Sequence, residues 1–163
     1  MSQKNKGMFL EEVLNRSLNY YAKNDIAFIE KKSLPFLLTE VSKAQNNESK
    51  KSLKGYLFKK STVDYIGMFQ GMFVCFEAKS CKGERFDYKN IKQHQIEYLN
   101  LIATHGGLAY LIFYFETENK FVKTDPTWIY SDMKFNKSIS VDRLIKISVV
   151  LEFEFPGIVN IFK

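Results

Sequence analysis

The order of apolar and polar positions divides the chain into helical and extended stretches before any chemistry is considered. Phe9, Val13, Ser17 and Tyr20, with Leu10, Leu14, Leu18 and Tyr21 beside them, recur at a helical period and predict an amphipathic helix over about residues 8 to 23. Such a helix should cover one face of a sheet. Ile26 to Lys32 reads as a strand, and Pro35 marks its end by removing a backbone donor. Val63 to Phe69 and Met72 to Lys79 are rich in β-branched and aromatic residues and flank Gln70-Gly71, the spacing of a two-residue hairpin.

After a short glycine-containing loop from Cys81 to Phe86, the stripe Ile91, Gln95, Tyr98, Leu99 and Ile102 predicts a second helix over residues 88 to 105, stopped by Gly106-Gly107. Leu108 to Phe115 is an almost unbroken apolar run, as in a central strand covered on both faces, with Lys120 to Lys123 pairing beside it. Asp125-Pro126 opens a short helix, with Asp as cap and Pro at its first position. From Val141 the pattern gives a short helix and one or two further strands. With no internal repeat, residues 1–163 read as one α/β domain, a central mixed β-sheet flanked by helices.

Composition supports a folded core: 45% of the residues are hydrophobic, including fifteen Phe and nine Tyr. The net charge of +6 and pI near 9.2 come almost wholly from lysine, since Arg16, Arg85 and Arg143 are the only arginines. That balance favours a polyanionic partner, nucleic acid ahead of a membrane surface, although lysine richness also arises from genome composition. From Ser42 to Lys54 the chain turns to Ser, Asn, Gln and Lys without an aromatic residue, which reads as an exposed basic projection or a solvated loop. Met1 to Lys6 is polar with no apolar h-region behind it, and no apolar run reaches about 18 residues, so a cytoplasmic protein without membrane association is expected. Cys75 and Cys81 are then expected to be free thiols.

Glu77-Ala78-Lys79 forms an E-x-K tripeptide, but an acidic residue two before lysine also occurs at Glu30, Glu48, Asp87, Glu118 and Asp132. Hairpin pairing separates them. If Gln70-Gly71 is the loop, Asp64 stands opposite Glu77 and Thr62 opposite Lys79, and strand alternation puts all four on one face. Directly opposed carboxylates, with β-carbons about 4.5 to 5.5 Å apart, are destabilising unless a positive charge sits between them. A hard divalent cation such as Mg²⁺ fits, with Lys79 placed to meet a phosphate or an attacking water. The alternative is a solvated cross-strand salt-bridge face, which the apolar Ile66, Phe73 and Cys75 on the same face argue against. Gln95, a polar residue in an apolar stripe, either joins the metal shell through its amide oxygen or bonds to backbone. His94 and His105, about 16 Å apart along one helix, cannot share a metal, though either could touch phosphate. Cys75, Cys81 and His94 are set aside as a zinc set.

Taken in order, Gly7-Met8-Phe9-Leu10-Glu11, Asn19-Tyr20-Tyr21, Ile26 to Lys32, Ser61 to Gly67, Phe76-Glu77-Ala78-Lys79, Asn90-Ile91 and His94-Gln95-Ile96-Glu97 resemble the successive motifs of the RecU Holliday-junction resolvases. Lys137-Ser138-Ile139 resembles a further segment of that family. The resemblance implies the restriction-endonuclease-like PD-(D/E)XK fold, a homodimer, a Mg²⁺ requirement with Mn²⁺ as substitute, and symmetric cutting of four-way junction DNA in recombination and repair. It implies Thr62, Asp64, Glu77 and Gln95 as metal ligands, Asp64, Glu77 and Lys79 as the catalytic set, and Lys79 as the group that stabilises the transition state. It also implies that about residues 35–57 form a basic stalk that enters the junction, and that other recombination proteins are partners. Cys75 stands where the family usually has an acidic residue, Val63 replaces threonine, and the family's basic N-terminal extension is missing. Two rival readings share parts of this pattern: a linear-duplex nuclease of the same superfamily, and a junction-binding protein that cuts nothing.

Overall fold

The computed structural model describes residues 6–33, 36–43, 51–57 and 62–163. Its first half runs α1 (Lys6–Lys23), β1 (Phe28–Lys31), β2 (Phe36–Lys43), β3 (Lys51–Leu57), β4 (Tyr65–Phe69), β5 (Met72–Cys81) and β6 (Arg85–Asp87). Then come α2 (Gln93–Thr104), β7 (Leu108–Phe115), β8 (Lys120–Thr124), α3 (Pro126–Asp132), β9 (Ser138–Ser140), α4 (Val141–Lys146), β10 (Val149–Leu151), β11 (Phe153–Glu154) and β12 (Ile158–Val159).

Six strands form the central sheet in the order β1-β4-β5-β7-β8-β10. Only β5 and β7 pair in parallel, joined by α2 as the crossover; the other neighbours are antiparallel, so the sheet is mixed as expected. The long apolar runs supply its centre: Val74, Phe76, Leu111, Ile112 and Phe113 are fully buried. On one face α1 lays down Leu10, Val13, Leu14, Leu18 and Tyr21 against Val74, Phe76, Ile112 and Tyr114. Each such side chain contributes about 1.5–3 kcal/mol by leaving water. On the other face α2, α3 and α4 cover Cys75, Leu111, Phe113 and Val122 with Ile96, Leu99, Ile129 and Leu144.

Ser17 interrupts the apolar stripe of α1 for a reason. Its hydroxyl donates to Val13 O and accepts from Val159 N, both at 2.9 Å, while Tyr21 Oη donates to Val159 O and accepts from Ile161 N at 3.1 Å. These buried groups dock the C-terminal segment without leaving a polar atom unpaired. Where β1 crosses β4, Gly67 is required by contact: a Cβ there would stand 2.1 Å from Phe28 O.

Three expectations change. The helix expected over residues 88 to 105 is a 3-10 turn at Tyr88–Asn90 followed by α2, because Ile91 is extended and Lys92 takes the N-cap position. The loop expected at Cys81 to Phe86 is shorter, since β5 continues through Cys81 and β6 pairs with β9. The polar stretch expected as an excursion is strand at both ends: β2 and β3 pair with each other as a separate two-stranded antiparallel sheet. Backbone pairing is satisfied whatever the side chains, so the polar composition of Ser42–Lys43 and of Lys51–Lys54 hid the strand ends there. Pro35 and residues 44–50 lie outside the described residues. Cys75 and Cys81 are free and buried, as expected. Among the described residues no helix is long and apolar enough to cross a membrane.

Candidate active site

The geometry starts at the β4–β5 turn. Gln70 (φ 49°) and Gly71 (φ 80°) both occupy the left-handed region, the two-residue turn whose twist suits a tight hairpin. The turn fixes the register from Phe69↔Met72 back to Tyr65↔Phe76. One step further Asp64 meets Glu77, and there side chains replace the backbone ladder. Asp64 N donates to Glu77 Oε2 (3.1 Å), and Ala78 N donates to Asp64 Oδ2 (3.3 Å). The two strands are thus bridged by the carboxylates that the sequence placed opposite one another.

Glu77 is only 1% exposed, on the face covered by α2. Its Oε1 receives Lys79 Nζ at 2.7 Å and Gln95 Nε2 at 2.6 Å. Burial pushes the Glu77 carboxyl from an ordinary 4.5 up to about 7; Lys79 opposes that rise and the Asp64 charge adds to it. Gln95 reaches the site from the first turn of α2, where its Oε1 accepts Lys92 N at 3.1 Å. The amide therefore bridges the helix N-terminus and the buried carboxylate, with nitrogen rather than oxygen facing Glu77. Exchanging the two amide atoms would set a donor against the Lys92 N–H, so the hydrogen bonds fix this orientation.

Thr62 lies two residues before Asp64, half-buried, and its Oγ1 accepts Lys32 Nζ at 2.8 Å. Lys32 N also donates to Asp64 O at 2.7 Å, extending the β1–β4 pairing to the site. Asp64 further lines a cavity of about 180 Å³ on the α1 side, with Glu11, Lys31 and Ser80. Glu11 and Lys31 form an ion pair across it at 2.5 Å. Sequence reasoning gave no role to Lys32, Lys31 or Glu11. The signal for Glu11 was its place beside Leu10 and Leu14 on α1, whereas the lysines carried no mark that set them apart from the other lysines and arginines of the chain.

The donor set suits a hard divalent cation: two opposed carboxylates, one fully buried, with a lysine as the nearest positive charge. No group of three His, Cys, Asp or Glu side chains gathers among the described residues. A cation here would complete its shell with amide, hydroxyl, water or phosphate oxygens, as Mg²⁺ commonly does. Cys75, Cys81 and His94 accordingly form no zinc centre among the described residues.

A mixed sheet between helices, with opposed carboxylates and a lysine on its central hairpin, is the architecture of the restriction-endonuclease-like, or PD-(D/E)XK, proteins. Within that class the chain belongs to the RecU family: the model of "Recombination protein U" matches residues 5–163. A Holliday junction resolvase RecU from Mycoplasmopsis pulmonis is 44% identical over 160 residues, spanning 98% of this chain and 93% of the relative. A protein of the same name from Geobacillus sp. is 37% identical over 118 residues, 71% of this chain and 58% of the relative. Another, from Streptococcus gordonii, is 29% identical over 152 residues, 91% of this chain and 76% of the relative.

Proposed function

We propose that this protein is a divalent-metal-dependent endonuclease that resolves Holliday junctions by hydrolysing phosphodiester bonds in two opposed strands. The observation that carries the reading is the apposition of Asp64 and buried Glu77 with Lys79 Nζ 2.7 Å from the Glu77 carboxylate. Family membership supplies the substrate class, since the relatives above bear the name of junction resolvases.

Asp64 and Glu77 hold the cation, with Thr62 and Gln95 completing its surroundings; Mg²⁺ is the expected ion and Mn²⁺ its substitute. When bound, the cation polarises the phosphoryl oxygen and makes a water nucleophilic near neutral pH. Lys79 steers the scissile phosphate and stabilises the charge that develops on it; a charge-stabilising donor of this kind is typically worth about 10²–10³ in rate. Gln95 serves as a ligand only if its amide exchanges the Lys92 bond for the metal; as it stands it holds the Glu77 carboxylate in place. Lys32 keeps Thr62 at the mouth of the site.

Symmetric cutting asks for two sites related by a twofold axis, hence a homodimer. The β2–β3 ribbon, which pairs outside the central sheet, is the stalk that enters the junction, with Lys54 and Tyr56 exposed on it. Such a substrate places the protein with chromosomal DNA in the cytoplasm, where other recombination proteins are its expected partners. Incubating the protein with an end-labelled mobile four-way junction, with and without Mg²⁺, tests the reading. Paired symmetric nicks that need the metal are expected. Cutting of linear duplex alone, or metal-independent binding without cleavage, would overturn it.

A further inference from the structure

Of the three arginines, Arg16 is paired with Glu12 and Arg143 with Asp132, both at 2.8–2.9 Å. Arg85 is held differently. Its Nε and NH2 both donate to Ser138 Oγ, at 3.2 and 3.0 Å, so a neutral hydroxyl orients the guanidinium, and among the described residues no carboxylate pairs with it. The support beneath it is rigid. Arg85 lies on β6 and Ser138 on β9, and the residues between them, Phe86 and Ile139, pair across the ribbon and are 2% and 0% exposed. Tyr88 N donates to Lys137 O at 2.9 Å and locks the chain entering β9. Of the nearby carboxylates, Asp87 is taken by Lys89 at 3.1 Å and Glu84 is exposed.

We propose that Arg85 and Ser138 form a contact for a backbone phosphate of the duplex arm that leads to the cleavage site. The guanidinium presents planar donors and the Ser138 hydroxyl keeps its own proton to donate, which is a donor set that recognises a phosphodiester without reading bases. Placement agrees. Arg85 follows Lys79 by six residues, at most about 20 Å of extended chain, so one duplex arm passing the Glu77–Lys79 site reaches the ribbon within a few phosphates. The proposal rests on the nuclease reading for the identity of the polyanion.

The test reads binding, not cleavage, so the two can fail separately. Affinity of the metal-free full chain for a labelled four-way junction and for a linear duplex is measured from low to high salt. Arg85→Ala should lower the slope of log affinity against log salt by about 1 and weaken binding to both DNAs alike, because phosphate contacts carry no sequence or branch information. Arg85→Lys should keep the slope but lose part of the affinity, since the charge stays and the planar donors go. Lys23→Ala, an exposed lysine at the end of α1, controls for net charge. Unchanged slope and affinity in Arg85→Ala, or an equal effect of Lys23→Ala, overturns the contact. A reduced slope in a protein that cuts no DNA would support the contact and sink only the nuclease reading.

Discussion

Gln95 Nε2 donates to Glu77 Oε1 at 2.6 Å while Gln95 Oε1 accepts Lys92 N at 3.1 Å, so one amide ties the start of α2 to the buried carboxylate of the candidate site. Each end has a cost if removed: Glu77 loses a neutral donor inside the protein, and the helix loses the acceptor for an otherwise unpaired N–H.

Gln95→Ala is therefore expected to destabilise the metal-free protein by about 1–3 kcal/mol, a fall in Tm of roughly 2–4 °C per kcal/mol. If Gln95 also enters the metal shell, its loss should raise the Mg²⁺ concentration needed for half-maximal cleavage. A variant that unfolds at the wild-type temperature would show that the bridge carries no stability. A shifted Tm with unchanged Mg²⁺ dependence would assign Gln95 to positioning alone.

The Glu77 carboxyl gives a pH dependence whose sign is fixed. Its value rises from 4.5 unfolded to about 7 folded, chiefly through burial, so the folded state binds the proton more tightly. The stabilisation it contributes is fully present below pH 4.5 and is lost as pH rises through 7. In metal-free protein, Glu77→Gln should remove this loss, making the variant more stable than wild type at pH 8 by on the order of 1–3 kcal/mol and little different at pH 4.5. Mg²⁺ added at pH 8 should raise the Tm of wild type and leave Glu77→Gln largely unmoved. Parallel Tm-against-pH curves for the two proteins would count against a carboxylate held at this burial.

The apposition behind that behaviour was readable in the sequence because a two-residue turn leaves no freedom of register: once Gln70-Gly71 was the loop, Asp64 had to face Glu77. Gln95 was readable for a different reason, as a polar residue at a position whose helical neighbours Ile96 and Leu99 are buried. The β2–β3 and β6–β9 ribbons were not. Three-residue strands such as β6 and β9 show no period, and β2 and β3 run into the polar stretch from Ser42 to Lys54, which carries no strand pattern of its own. The Lys32–Thr62 contact joins residues 30 positions apart on strands whose spacing only the folded sheet sets.

Tyr88 offers a test of how the second helical layer is fixed. Its hydroxyl donates to Asp132 Oδ2 at 2.6 Å, while Asp132 Oδ1 accepts Asn136 Nδ2 and Arg143 NH2, joining the turn before α2 to α3 and α4. Tyr88→Phe deletes one charged hydrogen bond at a buried site and should cost about 1.5–3 kcal/mol, read as a lower denaturation midpoint with an unchanged slope. A loss below about 0.5 kcal/mol would mean that Arg143 and Asn136 suffice.

Lys79 separates chemistry from binding. Its Nζ is the cation paired with the Glu77 carboxylate and the one placed to reach a phosphate there; its side chain is 21% exposed against 1% for Glu77, so its removal leaves the buried carboxylate without that partner. Lys79→Ala should lower single-turnover cleavage of a labelled junction by roughly 10²-fold or more while changing junction affinity by only a few-fold. Because Lys79 holds the Glu77 proton affinity down, the variant's residual cleavage should also need a higher pH before the carboxylate ionises and takes the metal. Lys79→Arg should recover part of the rate, since it keeps the charge and changes its shape. Cleavage by Lys79→Ala within about fivefold of wild type would remove Lys79 from the catalytic set and leave it as the counter-charge that keeps Glu77 ionised.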